Sequence, residues 1–155
     1  NIDAVYINSK KYKDNKEFND IIIKELKKRD VELVVLAGYL KILSDIFVKE
    51  YENRIINIHP SLIPSFCGMN YYGLKVHKAA IEYGVKVTGA TVHFVNEEAD
   101  AGPIIMQEAV KVANDDTPET LQKKVLQIEH TILPEVIKLY CDRRIEVKGR
   151  KTYIR

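Results

Sequence analysis

Apolar positions change period repeatedly along this chain, and each change marks an element. From Asn15 to Arg29, Phe18, Ile21, Ile22 and Leu26 recur at helical spacing, with Asn15 as the N-cap. The run "VELVVLAG" then predicts a strand buried on both faces, as in a parallel sheet covered by helices, and Gly38 ends it. Ser44 caps a short helix over "SDIFVKEYE", and "NRIINI" is a second buried strand. A short strand over "IDAVYI" precedes them all. The order helix, strand, helix, strand implies right-handed crossovers and a doubly wound α/β sheet.

The second half has a different rhythm. A long loop runs from Pro60 to about Tyr71, and a helix follows to about Tyr83. "KVTGATVHFV" alternates like a half-buried strand, "DAGP" breaks the chain, and "IIMQEAVKV" returns as the other arm of a hairpin. This part is antiparallel and joins the parallel part. Thr117 caps a long helix with Pro118 at its first position, and Pro134 is expected to kink it. Its apolar stripe is Leu121, Val125, Ile128, Ile132, Val136 and Leu139. The tail holds one more short strand at most.

Length and charge narrow the classes. A chain of 155 residues is enough for one domain with a sizeable core. A formal net charge of +2 gives no case for nucleic acid or a membrane surface. No apolar run approaches a membrane span, and no signal peptide is visible. Cys67 and Cys141 form no CxxC or zinc pattern, which fits a cytoplasmic protein with reduced thiols. The chain opens at Asn1 without a methionine, as if inside a fold.

Candidate chemistry lies at the ends of elements. There is no P-loop, GxSxG, HExxH or GxGxxG pattern. In doubly wound sheets, ligands bind beyond the carboxyl ends of the strands, so Ala37–Leu43 and "NIHPSLIP" are the places to look. Asn57 and His59 stand two apart, so in an extended segment they point to the same side. An amide N–H beside an imidazolium suits a developing oxyanion. The other reading makes Asn57 a turn cap and His59 a satisfied core histidine, and composition alone favours it. Asp100 is a turn aspartate or, beside an imidazole, the group that holds the ring and raises its pKa. His93 reads as a buried histidine bonded to nearby backbone, and His77 as a residue pinning the long loop. The spacing of His59, His77 and His93 matches no metal-ligand motif. Glu129 is either a solvated helix acid or a ligand for hydroxyls or an amine.

Taken together, "VVLAGYLKILSDIFV", "NIHPSLIPSFCG", "KVTGATVHFVNEEADAGPIIMQEAV" and "QIEHTILPEVI" resemble the phosphoribosylglycinamide formyltransferase family, from about Lys16 to Arg144. The resemblance implies a formyltransferase fold with a Rossmann-like, mostly parallel sheet, helices on both faces and an antiparallel C-terminal part. It implies residues 1–155 as one such domain, without the opening strand and phosphate-binding loop of family members. Asn57, His59 and Asp100 match the catalytic trio. Lys16, Leu40, Lys41, Ile42, Leu43, Val95 and Asn96, with Asn57 and Asp100, match folate-binding positions. Many members carry arginine at Lys41, so the charge is kept and the planar fork is lost. Gly38, Tyr39, Asn57 and Glu129 match positions around the ribonucleotide.

The implied reaction moves a formyl group from 10-formyltetrahydrofolate, a cosubstrate, to the amine of glycinamide ribonucleotide in purine synthesis. Asn57 and protonated His59 would stabilise the oxyanion, with Asp100 keeping His59 charged. No metal, nucleic acid or membrane is implied, and the assembly is a monomer or homodimer. The alternatives are another folate-dependent formyltransferase, a formyltetrahydrofolate hydrolase, or a non-catalytic folate- or nucleotide-binding module.

Overall fold

A computed structural model describes residues 2–155. Two helix–strand pairs come first: α1 (Asn15–Lys27), β1 (Val34–Leu36), α2 (Asp45–Glu50) and β2 (Ile55–His59). They are followed by α3 (Leu74–Tyr83), the hairpin β3 (Val87–Phe94) and β4 (Ile104–Lys111), α4 (Pro118–Cys141), and a second hairpin, β5 (Ile145–Lys148) and β6 (Lys151–Ile154). The strands form one six-stranded sheet in the order β1-β2-β3-β4-β6-β5. β1 runs parallel to β2 and β6 parallel to β4, while β2–β3, β3–β4 and β5–β6 are antiparallel.

The sheet is covered on both faces because its strands alternate. On β2, Ile56 and Ile58 point to one side, where Ala80 of α3 and Leu121, Val125, Ile132 and Val136 of α4 close the larger core. Ile55 points to the other side and packs with Ile23 of α1 and with Phe47 and Tyr51 of α2. That second cover stops short. Asn57 and His59 share the Ile55 face by alternation and line a cleft beyond that cover. The site opens there.

Caps explain the element starts. Ser44 accepts from Phe47 N, as the sequence implies. Thr117 and Thr120 form a reciprocal capping box at α4, which continues through Pro134. At α1 the cap is Asp14 rather than Asn15, because the Asp14 side chain accepts from Glu17 N.

Several expectations change. "IDAVYI" is not a strand: residues 2–8 pair with no neighbour, and a 3-10 turn follows at Ser9–Lys11. β1 is half-buried rather than buried on both faces, since it is the outer strand of the sheet among the described residues. β3 is the reverse. It is buried on both faces from Thr88 to Phe94, because the loop after β2 folds over the side that α3 and α4 leave bare. The tail makes two strands around Gly149, in a stretch whose charges hide the alternation.

Candidate active site

The β2–β3 register brings the polar groups together. Asn57 pairs with His93 and His59 with Thr91, so all four side chains share one face. Thr91 anchors the loop above them. Its hydroxyl donates to the Ser61 carbonyl at 2.6 Å and accepts from Ile63 N and from Gln107 Nε2. Gln107 also donates to the Ile63 carbonyl. The start of the loop is thus fixed to the β3–β4 hairpin.

His93 orients Asn57. Its Nδ1–H donates to the Phe94 carbonyl at 2.8 Å, which leaves Nε2 to accept from Asn57 Nδ2 at 3.1 Å. Bonding to nearby backbone is the role the sequence assigns His93, and orienting Asn57 is an addition. With one amide hydrogen held, the Asn57 side chain is turned into the cleft that it lines.

His59 is held at both ring nitrogens. Nε2–H donates to the Phe66 carbonyl at 2.9 Å, and Nδ1 faces Asp100 Oδ2 at 3.4 Å. Asp100 sits at φ 53 in the connection after β3, where its carboxylate also accepts from Gly68 N at 2.9 Å and lies 3.7 Å from His93 Nε2. Burial tends to raise the Asp100 pKa. His93, His59 and the Gly68 N–H outweigh it and bring the carboxyl below its usual range.

His59 itself departs from expectation. Burial lowers its pKa below the ordinary histidine value, outweighing the Phe66 carbonyl and the Asp100 carboxylate. Asp100 and the Phe66 carbonyl oppose that fall without reversing its direction. Its Nδ1 faces the Asp100 carboxylate, which is placed to stabilise a proton that arrives there.

A cleft of about 500 Å³ opens over this group. Gly38, Tyr39, Leu40, Lys41, Ile42 and Leu43 line one wall, and Val95, Asn96 and Asp100 another. Glu129 of α4 reaches the same cleft, and burial raises its pKa. Lys16 is exposed on the first turn of α1 and does not line the cleft. Its neighbour Asn15 donates from Nδ2 to the Ile42 carbonyl at 2.8 Å, tying that end of α1 to the 40–43 segment. Lys41 Nζ stands 5.4 Å from the centre of the Phe18 ring, at the same junction.

Sequence reasoning missed the loop as a source of site groups. Met69, Tyr71 and Tyr72 line the cleft, and so do Gln122 and Leu126 of α4. The only signal was the glycine and aromatic content of "SFCGMNYYG". His77 differs too. It is buried and lines the cleft, and its Nδ1 has no partner, so that atom pins no loop by hydrogen bonding. Among the described residues no group of three His, Cys, Asp or Glu side chains is placed to hold a metal ion.

His77 carries a stability prediction. Burial first, then the nearby His59, lowers its pKa to about 4. An unfolded histidine titrates near 6.5, so between these values the unfolded chain binds the extra proton. Stability is whole above pH 6.5 and is lost as pH falls, by up to roughly 3 kcal/mol once both states are protonated. Urea unfolding from pH 7 to pH 4 should show this slope. The same series on His77→Gln should be flatter.

The formyl transferase family matches residues 1–137. A chloroplastic phosphoribosylglycinamide formyltransferase of Arabidopsis thaliana is 48% identical over 125 residues, covering 81% of this chain and 43% of that protein. The chain thus spans less than half the length of that curated relative. The solved glycinamide ribonucleotide transformylase 1 of Symbiobacterium toebii superposes with a TM-score of 0.92 at 40% identity, over 99% of this chain and 70% of that one. A formyltetrahydrofolate deformylase from Pseudomonas syringae superposes at 0.83 with 34% identity, over 92% of this chain and 46% of that one. No helix is long and apolar enough to cross a membrane among the described residues.

Proposed function

The chain belongs to the formyl transferase family, and from that premise we propose that it carries the transfer centre of a phosphoribosylglycinamide formyltransferase. The reaction moves the formyl group of 10-formyltetrahydrofolate to the amine of glycinamide ribonucleotide, a step of purine synthesis. The convergence of Asn57, His59 and Asp100 on one cleft supports this reading best.

Each wall has a part. Leu40, Ile42, Leu43 and Val95 offer an apolar slot for the flat pterin, and backbone groups near Asn96 offer polar contacts to its edge. Lys41 on the cleft wall, with Lys16 exposed outside it on the first turn of α1, offers positive charge to the acidic tail of the folate. Gly38, Tyr39 and Glu129 face the ribonucleotide, where a carboxylate suits ribose hydroxyls or the amine.

The chemistry follows from where the three side chains stand. The amine nitrogen bonds to the formyl carbon, and the carbonyl electrons move onto oxygen. Asn57 donates an N–H to that oxyanion. The attacking nitrogen becomes cationic and loses a proton, which passes to His59 Nδ1, where the Asp100 carboxylate stabilises the imidazolium. The charged ring then faces the oxyanion and delivers the proton to the leaving folate nitrogen as the carbon–nitrogen bond breaks. His59 thus gains its charge during the reaction rather than before it.

The likeness to a deformylase favours one rival, water in place of the amine. Following tetrahydrofolate absorbance with and without glycinamide ribonucleotide separates the two. Transfer predicts turnover that depends on the ribonucleotide, and equal rates without it would refute it. A cytoplasmic setting accords with two free cysteines.

A further inference from the structure

The loop that covers His59 does more than close the cleft. Its Phe66 adopts φ 48, a left-handed conformation that a bulky side chain adopts only when something enforces it. In that conformation its carbonyl turns inward and takes the Nε2 hydrogen of His59 at 2.9 Å. Two residues on, Gly68 at φ 84 turns its N–H inward onto Asp100 Oδ2 at 2.9 Å. One short segment therefore gives an acceptor to the ring and a donor to the acid.

The Phe66 ring supplies the enforcement. It stands edge-on to Tyr71 and to Tyr83, with centroids 6.2 Å and 5.9 Å apart, and it packs against the larger core. Tyr83 is the last residue of α3, 81% exposed, and it does not line the cleft.

We propose that Phe66 is a positioning residue for formyl transfer, its ring clamped by Tyr71 and Tyr83 so that its carbonyl holds the Nε2 hydrogen of His59 and leaves Nδ1, facing Asp100, to carry the mobile proton. This rests on the reading of His59 as the proton carrier. Were the carbonyl to turn away, the neutral ring could place its hydrogen on either nitrogen. The fraction with a free Nδ1 would fall, and the ring would lose its fixed orientation.

The test pairs ring nitrogen-15 NMR of His59 with kinetics in the wild type, Phe66→Ala, Phe66→Tyr and Tyr83→Ala. The wild type should show the Nε2–H tautomer in the neutral ring. Phe66→Ala should mix the tautomers and lower kcat by about ten- to a hundredfold, with KM changing by no more than about twofold. Phe66→Tyr should restore both signals. Tyr83→Ala, a surface change that leaves the fold intact, should shift both in the same direction by less. An Nδ1–H tautomer in the wild type, or a lower kcat in Phe66→Ala with the His59 signals unchanged, would overturn the proposal. The tautomer is read without turnover, so an absence of formyl transfer would overturn the reaction and not the positioning.

Discussion

Replacing His59 by alanine lowers the formyl-transfer rate by at least about two to three orders of magnitude, the usual cost of losing an oxyanion or proton-transfer group. The fold survives the change. His59 is 4% exposed, but its ring bonds to one loop carbonyl, and the strand carrying it is fixed by its backbone register. Leaving the Phe66 carbonyl without a donor costs about 1–3 kcal/mol, small enough for the sheet to persist. Asn57→Ala and Asp100→Ala should lose activity comparably for different reasons. Without Asn57 the oxyanion keeps only a transient donor. Without Asp100 the imidazolium forms next to no negative charge, and the Gly68 N–H loses its acceptor. Steady-state rates with circular dichroism check all three. Near-normal turnover in a folded His59→Ala would falsify the assignment.

Gly102→Ala should be strongly destabilising. An alanine Cβ there would lie 1.8 Å from the Phe94 carbonyl oxygen and 2.8 Å from its carbon. Both are backbone atoms of the central strand β3, and Phe94 N is held by the Pro103 carbonyl at 2.9 Å, so the two segments cannot separate without loss. The expected cost is at least about 3 kcal/mol. Asp100 is two residues earlier, so activity should fall as well. Gly149→Ala is the control. That residue is left-handed at φ 59 with no heavy atom within 4 Å of the added carbon, and its loss should be near 1 kcal/mol. Paired denaturant titrations decide this, and equal costs at the two positions would refute the steric account.

Much of this was legible in the chain. The alternation of Ile55, Ile56, Asn57, Ile58 and His59 encodes two buried faces and a polar exit, and the structure places Asn57 and His59 side by side. The caps at Ser44 and Thr117 and the β3–β4 hairpin were readable from local chemistry. What was not readable depends on distant segments. Whether "IDAVYI" is a strand depends on a neighbour, not on its own apolarity. β3 looks half-buried until a loop tied to Thr91 folds over it. Burial turns the His59 pKa down while Asp100 turns it up, and only the aspartate can be seen in a sequence. The Phe66 carbonyl and the Gly68 N–H are backbone groups, and residue types do not announce them.

The most direct test of formyl transfer follows a carbon-13 label in the formyl group of 10-formyltetrahydrofolate while the protein and glycinamide ribonucleotide are present together. The label should move to the ribonucleotide amine as a formamide signal, with little free formate, and should stay on the folate when His59→Ala replaces the wild type. Label collecting as formate, at a rate indifferent to the ribonucleotide, would contradict the account and place the cleft among the deformylases.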